Sequence, residues 1–262
     1  MSRVREIGGS LNRLLDYREP PTSAPVSPAW LGLVYRARNS RFVERLLASV
    51  EDEGWEVHLW ALDSISPRLQ GFTRGHGAGG KFELLQHLLN EFPPPRMSWV
   101  ALADDDFIFR RGTLIDLLAI ARDAGLDLSQ PAHRRFVNIA HHITLVRPRI
   151  VARRTHFVEI GPLVVMSPRG QAALLPFPLA KMGWGLEALW SRASLDRLIT
   201  LGIVDAVTIE HRGQIGAHYD TLAALAEQDR FLYRAGLASL SDVHTTISMW
   251  RRHGRRPNWT AR

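Results

Sequence analysis

The sequence has no cysteine among its 262 residues, which excludes disulfide scaffolds, thiolate metal sites and cysteine nucleophiles. It also has no long apolar run, and its hydrophobic stretches stay far below the ~20 residues that a membrane-spanning helix needs. The first residues lead into no apolar segment of the secretory type, so we expect a cytoplasmic protein. With 45% hydrophobic and 23% charged residues, the composition is that of a globular chain.

Lysine is nearly absent as well. Lys81 and Lys181 are the two lysines among 33 basic residues, so arginine supplies most of the charge behind a formal net charge of +7. Arginine binds phosphate well, but a solvated arginine-rich surface is the simpler interpretation, and we expect no nucleic-acid partner. The segment 251–256 holds four arginines. This basic tail could contact RNA, a phosphorylated ligand or the periphery of a membrane with anionic lipid, or it is a solvated end.

Strand and helix patterns alternate from residue 30 onward. We expect a proline-rich leader over 1–29, one α/β domain over 30–235 and the basic tail over 236–262. The predicted strands are Leu31–Tyr35, Glu56–Ala61, Trp99–Ala103, Ile143–Val146, Phe157–Ile160, Leu163–Met166 and Ile203–Ile209. The predicted helices are Phe42–Val50, a segment from Gly80 to the prolines at 93–95, a segment around Leu114–Ala121, Pro168–Leu175, Leu186–Leu198 and 216–235. A mobile glycine-rich loop, Gly71–Gly80, is expected between the second strand and the second helix.

Three adjacent carboxylates, Asp104, Asp105 and Asp106, directly follow the apolar strand Trp99–Ala103. Their mutual repulsion is costly unless a cation or water compensates it. Open α/β sheets bind ligands at the carboxyl ends of their strands, and alternate residues of an extended segment point the same way. Asp104 and Asp106 are therefore candidate ligands of one Mg²⁺ or Mn²⁺ ion. The alternative is a solvated acidic turn that caps the helix beginning near Thr113.

Three further polar residues are candidates for the same site. His211 ends the strand Ile203–Ile209 and could complete a Mn²⁺ site, although a lone histidine is more often an ordinary hydrogen-bond partner. Lys81 begins a helix after the glycine-rich loop, where backbone amides favour anions. Arg36 follows the first strand. Lys81 and Arg36 are candidates for contacts to a nucleotide, although no Gly-Lys-Ser/Thr run marks a P-loop.

The acidic segment and several other segments together resemble a known pattern. A hydrophobic strand ending in Asp104-Asp105-Asp106 resembles the Asp-x-Asp motif of nucleotide-sugar glycosyltransferases with the GT-A fold. The other segments that carry the resemblance are Gly80–Leu85, Leu128–Ala132, Arg154–Pro162, Gly183–Trp190 and Ile203–Ala206. Over roughly residues 30–230, the chain resembles a little-characterised family of glycosyltransferase-like proteins.

The resemblance implies a fold, substrates and residue roles. The fold is a single GT-A-like domain, with a Rossmann-like mixed sheet flanked by helices and a β-rich acceptor half. Asp104 and Asp106 would hold a divalent ion that bridges the donor's diphosphate, and His211 would complete the ion's shell. Asp105 would face the ribose or sugar of a nucleoside-diphosphate sugar. The acceptor would be a glycan, a lipid or a small molecule with a hydroxyl group.

The segment Gly183-Trp184-Gly185-Leu186-Glu187 resembles the Gly-Trp-Gly loop of galactosyltransferase-type enzymes, which carries acidic acceptor-binding and base residues. Here one carboxylate, Glu187, follows the loop, where those enzymes have a run of them. Glu187 is a candidate base, but it also suits the first turn of a helix. Trp184 could stack on a sugar, and Gly185 would allow close approach.

Glu159 is the second acidic candidate for catalysis. It lies in an apolar segment, where an unpaired charge is expensive, so a partner such as Arg154 or a substrate hydroxyl is expected. Two other functions stay open. A metal-dependent phosphoesterase could use the acidic cluster to activate water, although two-metal sites usually need further His and Asp clusters. A non-catalytic protein that binds carbohydrate or polyanions could also use this fold, with the basic tail as its anchor.

Overall fold

A computed structural model describes residues 29–51, 53–135, 139–213 and 220–251 of the chain. The strands within these residues are β1 (Ala29–Tyr35), β2 (Glu56–Ala61), β3 (Thr73–His76), β4 (Trp99–Ala103), β5 (Phe107–Arg111), β6 (Leu128–His133), β7 (Ile150–Thr155), β8 (Leu163–Met166), β9 (Leu201–His211) and β10 (Thr246–Arg251). The α-helices are α1 (Ser40–Ala48), α2 (Lys81–Glu91), α3 (Leu114–Asp123), α4 (Pro168–Leu174), α5 (Leu186–Leu195) and α6 (Thr221–Ala235). None of these helices combines the length and apolar character needed to cross a membrane.

The strands form one mixed sheet in the order β10-β7-β9-β6-β8-β4-β1-β2-β3, and β5 pairs with β9. β1 lies between β2 and β4 and is parallel to both, as the strand–helix–strand pattern predicts. Beyond β4, β8 is antiparallel to both of its neighbours, and β6 is parallel to β9. β7 and β10 add antiparallel pairs at the far edge. The predicted mixed α/β fold with a β-rich second half is therefore confirmed.

Each face of the sheet has its own apolar core. Leu31 and Leu33 of β1 pack in a cluster with residues of α1 and α3, whereas Trp30 and Val34 pack in a cluster with residues of α2 and α5. Successive side chains of a strand point to opposite faces, so a strand covered on both faces has a continuous apolar sequence. This explains why the apolar runs alone predict β1 and β4.

Two predicted strands are wrong. The segment Ile143–Val146 instead overlaps the 3-10 turn His142–Thr144, and Phe157–Ile160 lies in the loop between β7 and β8. In that loop, the backbone N–H of Glu159 donates to Oε1 of Gln130 at 2.6 Å. A side chain therefore satisfies a backbone group that a neighbouring strand would otherwise pair. The apolar residues of both segments indicate burial rather than strand pairing.

Five observed strands, β3, β5, β6, β7 and β10, have no counterpart among the predicted segments. β3 forms within the glycine-rich loop. β6 contains Pro131, which cannot donate to a neighbouring strand, and its register with β9 shifts between Pro131 and Ala132. β10 lies within 236–262, the expected basic tail, and pairs with β7. The rest of that tail, residues 252–262, and the leader up to residue 28 lie outside the described residues.

Candidate active site

The acidic segment Asp104–Asp106 connects β4 to β5 and does not cap a helix. Thr113 is the cap of α3: its Oγ1 accepts the backbone N–H of Asp116 at 3.2 Å, and Oδ2 of Asp116 accepts the N–H of Thr113 at 2.9 Å. This reciprocal arrangement is a capping box. The alternative of an acidic helix cap is therefore wrong, and the three carboxylates need another explanation.

Strand pairing brings His211 to the acidic segment. β5 runs antiparallel to β9, with Phe107 opposite His211, so the residue before β5 lies beside the end of β9. Nε2 of His211 lies 2.9 Å from Oδ1 of Asp106. The backbone N–H of Arg212 also donates to the carbonyl of Asp106 at 2.7 Å. Side chain and backbone together hold Asp106 against the end of β9.

Asp104, Asp106 and His211 form a cluster that fits a divalent cation. One ligand atom from each residue lies within 4.8 Å of the others, and all three side chains are half-buried. Burial raises the pKa of Asp104, with Lys81 opposing this shift and the charge of Asp106 adding to it. Burial would lower the pKa of His211, but the hydrogen bond and charge of Asp106 raise it. Two carboxylates and an imidazole form a donor set suited to Mn²⁺ or Mg²⁺.

Lys81, the first residue of α2, contacts this cluster. Its Nζ lies 2.6 Å from Oδ1 of Asp104 and donates to the carbonyl of Ile160 at 2.9 Å. Gly161 lies against the same pair, since a Cβ built on it would be 2.6 Å from Oδ2 of Asp104 and 3.0 Å from Nζ of Lys81. The close approach of this backbone to Asp104 therefore requires glycine.

Asp105 points away from its two neighbours and toward the end of β1. Its Oδ2 accepts the backbone N–H of Arg36 at 2.6 Å. Burial raises the pKa of Asp105 to about 6, although the Arg36 N–H opposes the shift. The next N–H, of Ala37, donates to Oδ1 of Asp63 at 2.9 Å. Two of the residues predicted to contact the nucleotide sugar, Arg36 and Asp105, are thus joined, whereas Lys81 contacts Asp104. Asp63 is a neighbour for which the sequence predicts no role.

The Gly-Trp-Gly loop precedes α5 and places Glu187 inside the protein. Gly183 and Gly185 have φ values of 90° and 88°, in the left-handed region that favours glycine. The backbone N–H of Gly185 donates to Oε2 of Glu187 at 3.0 Å, and Glu187 is 4% exposed. Burial, with a contribution from the charge of Glu159, raises the pKa of Glu187 to about 8. Its buried position therefore favours the protonated form of Glu187. Trp184 of the same loop is half-buried.

A carboxylate on α6 anchors this loop. Glu227 accepts three consecutive backbone N–H groups, from Lys181 at 2.6 Å, Met182 at 3.1 Å and Gly183 at 3.0 Å. Charge-assisted hydrogen bonds of this kind are stronger than neutral ones. Nothing in the Ala/Leu-rich sequence of α6 distinguishes Glu227 from a surface glutamate, so the sequence did not predict its role.

Glu159 lies beside His133, a histidine for which the sequence predicts no role. Its Oε2 lies 3.1 Å from Nε2 of His133, while Arg154 donates to Oγ1 of Thr200 at 3.1 Å. Burial would raise the pKa of Glu159, but the His133 hydrogen bond and the charges of neighbouring histidines hold it below its ordinary value. The surroundings of Glu159 and Glu187 thus shift the pKa values of the two acids in opposite directions.

Comparison with known proteins decides the fold. No family model and no curated protein sequence matches the chain. A solved structure, GalNAc-T7 with UDP, GalNAc and Mn²⁺, superposes with a TM-score of 0.57 at 11% sequence identity. The match covers 89% of this chain and 57% of that chain. The chain has the GT-A fold. S. aureus TarS residues 1–349, in complex with UDP-GlcNAc, also matches, with a TM-score of 0.47 and 11% identity over 79% of this chain and 72% of that one.

The GT-A fold and the Asp104-x-Asp106 arrangement agree with the resemblance found in the sequence. In this chain, the GT-A sheet places the acidic segment after a central strand, as predicted. The chain spans 57% of the length of the GalNAc-T7 chain. At this level of identity, the comparison establishes the fold, and the activity has to be argued from the site itself.

Proposed function

We propose that the chain is a metal-dependent glycosyltransferase that moves a sugar from a nucleoside-diphosphate sugar to a hydroxyl acceptor. The observation that carries this proposal is the convergence of Asp104, Asp106 and His211 after a central strand of the GT-A sheet. GalNAc-T7, with the same fold, is described with UDP, GalNAc and Mn²⁺. These two facts support a nucleotide-sugar donor and a divalent ion.

The donor side of the site consists of the metal ligands and the end of β1. Asp104, Asp106 and His211 would hold Mn²⁺ or Mg²⁺, and this ion would supply a Lewis acid for the charge that develops on the departing diphosphate. Asp105 fixes the turn after β1 through the Arg36 N–H, and this turn is where the nucleoside would bind. The Arg36 side chain and Lys81 would supply positive charge for contacts to the donor's phosphates.

The acceptor side consists of the Gly-Trp-Gly loop and two acidic residues. Trp184 would offer an aromatic face for a sugar ring. Gly185 does not fit the predicted contact to the acceptor, because a Cβ built on it would lie 2.7 Å from Cα of Gln228, so this glycine allows the loop to pack on α6. The acceptor hydroxyl needs a base that removes its proton as the new bond forms. Glu159 and Glu187 are the two candidates, and the opposite directions of their pKa shifts suit them to different tasks.

Calorimetry with UDP as the probe tests the proposal. Mn²⁺ should tighten UDP binding to the wild-type chain, and Asp106→Ala should abolish that increment because one ligand of the ion is lost. Asp196→Ala, which alters an exposed carboxylate on the C-terminal side of α5, is the matched control and should bind UDP with Mn²⁺ like the wild type. A screen of nucleotide sugars for Mn²⁺-dependent donor hydrolysis then identifies the donor.

Other outcomes of the same experiments would contradict the proposal. Metal-independent binding of a polysaccharide, with a steep dependence on salt, would indicate a non-catalytic carbohydrate- or polyanion-binding protein. Metal-dependent cleavage of simple phosphate esters without transfer to an acceptor would indicate a phosphoesterase. In the described part of the chain, Asp104, Asp106 and His211 are the one group of three side chains that could hold a metal ion. A two-metal phosphoesterase usually needs more ligands than these three.

A further inference from the structure

β6 holds Glu159 at two points. The backbone N–H of Glu159 donates to Oε1 of Gln130 at 2.6 Å, and its Oε2 lies 3.1 Å from Nε2 of His133. Gln130 and His133 are both buried, and both belong to β6, the strand that pairs with β9. The Glu159 carboxylate keeps partial exposure, at 15% of its side chain. It is therefore fixed from one side while it stays accessible on the other.

The hydrogen-bond pattern determines the tautomer of His133. An ionised carboxylate only accepts, so Nε2 of His133 carries the proton that it donates to Glu159. Nδ1 of His133 is buried and has no hydrogen-bond partner among the residues that the structure describes. Among the described residues, the Glu159 carboxylate is therefore the hydrogen-bond partner of the His133 ring.

Titratable groups face Glu159 from several elements. They are His133, His141, His211, His244 and Glu187. Burial lowers the pKa of His141 and His244, so among these groups it is the hydrogen bond from His133 that directly stabilises the Glu159 carboxylate. The acid among them, Glu187, is more deeply buried, and its carboxylate accepts two backbone N–H groups, that of Gly185 and its own. Of the two acids, Glu159 is thus the one in surroundings that stabilise a negative charge.

We propose that His133 is a positioning residue that holds Glu159 as the base of the transfer reaction, while Glu187 acts as a neutral hydrogen-bonding group. This inference rests on the proposed glycosyltransferase function. In the step, the acceptor oxygen bonds to the sugar's anomeric carbon, and its proton passes to Glu159. The bond from that carbon to the diphosphate breaks, and its electron pair leaves with the nucleoside diphosphate.

Substitutions at His133 test the positioning role. His133→Phe should lower kcat about tenfold or more, because the carboxylate loses its donor and its orientation. The acid limb of the kcat/KM profile should shift to higher pH, since without the hydrogen bond Glu159 is protonated more easily. UDP affinity with Mn²⁺ should stay the same. His133→Gln, whose amide can still donate, should restore part of the rate. The matched control is His58→Phe, which alters another buried histidine. The ring centroid of His58 lies 5.3 Å from that of Trp30, and this variant should keep the wild-type rate.

Substitutions at the two acids test the division of roles. Glu159→Gln should lower kcat by about 100-fold or more at unchanged UDP affinity. Glu187→Gln copies the shape of a protonated glutamate, so it should cost less than about threefold. In ¹⁵N NMR, the His133 ring should show the proton on Nε2, which gives a readout independent of turnover.

Three results would overturn the inference. They are loss of activity in Glu187→Gln with Glu159→Gln still active, a His133→Phe pH profile that matches the wild type, and a His133 ring protonated on Nδ1 alone. These results differ from failure of the proposed function, in which the wild-type chain itself shows no Mn²⁺-dependent UDP binding or sugar transfer.

Discussion

Removal of the Asp205 carboxylate should destabilise the protein strongly, because Asp205 and Arg153 form a fully buried ion pair between β9 and β7. Nε of Arg153 donates to Oδ2 of Asp205 at 2.7 Å, and Nη2 donates to Oδ1 at 3.2 Å. Both side chains are 0% exposed. The same guanidinium donates to the carbonyls of Ile143 and Leu145, and Asp205 also accepts the backbone N–H of Arg147. One ion pair therefore links two strands to the turn between β6 and β7.

The magnitude follows from these contacts. Asp205→Ala leaves the Arg153 charge inside the protein without its counter-ion, and it leaves one buried N–H, of Arg147, without an acceptor. Breaking a buried pair by removing one partner costs about 3–5 kcal/mol. At about 2–4 °C per kcal/mol for a chain of this size, the melting temperature should fall by about 6–20 °C. In the double variant Arg153→Met/Asp205→Ala, the loss in free energy of unfolding should be about 2 kcal/mol smaller than the sum of the losses in the two single variants, because neither charge is left without its partner.

Urea unfolding followed by the fluorescence of the eight tryptophans measures these free energies. The matched control is Asp196→Ala, which breaks a 3.5 Å ion pair to Arg192 whose side chains are 41% and 51% exposed. It should change the free energy of unfolding by less than about 0.5 kcal/mol. A cost below about 1 kcal/mol for Asp205→Ala, or strict additivity in the double variant, would refute the reasoning.

Three other predictions concern the loops around the site and a buried histidine. Gly161→Ala places a methyl group 2.6 Å from Oδ2 of Asp104 and should weaken Mn²⁺ binding about tenfold in a titration. The control Gly71→Ala adds a Cβ with no atom near it and should leave Mn²⁺ binding unchanged. Glu227→Gln replaces an acceptor oxygen by an amide donor, so the protein should lose about 1–3 kcal/mol in thermal unfolding; a wild-type melting curve would contradict the anchoring role. Burial, with the charge of Arg74, lowers the pKa of His58 to about 4 from 6.5. As the pH falls, His58 is therefore protonated at a higher pH in the unfolded chain than in the folded protein. The contribution of His58 to the free energy of unfolding should be complete above pH 6.5 and be lost as pH falls toward 4. In His58→Phe, that part of the pH dependence should disappear from a series of unfolding curves.

The candidate metal site was largely predictable from the sequence. Asp104 and Asp106 follow an apolar run, and His211 ends another, so strand ends and residue chemistry suffice to nominate them. Their meeting could not be derived in this way, because Asp106 and His211 are 105 positions apart and come together through the pairing of β5 with β9. β5 itself, with the sequence Phe-Ile-Phe-Arg-Arg, was missing from the prediction.

The residues that support the acids were much less predictable. His133 and Glu227 occur in stretches without a motif, and Gln130 lies in a segment of the resemblance that implies no role for it. Each of the three acts on a segment distant in the sequence. A buried polar side chain acquires its role from the partner that folding brings to it. The choice between Glu159 and Glu187 is of the same kind, because burial and hydrogen bonds set their charge states.

By itself, the sequence determined the α/β class, the central strands and the position of the acidic segment. These properties depend on local apolar runs and on residue chemistry, which neighbouring positions encode. The tertiary structure alone decided which polar groups meet: Asp106 with His211, Glu159 with His133, and Arg153 with Asp205. The physical reason is that a buried charge is tolerated only beside a complementary group, and strand order and register determine which distant group that is.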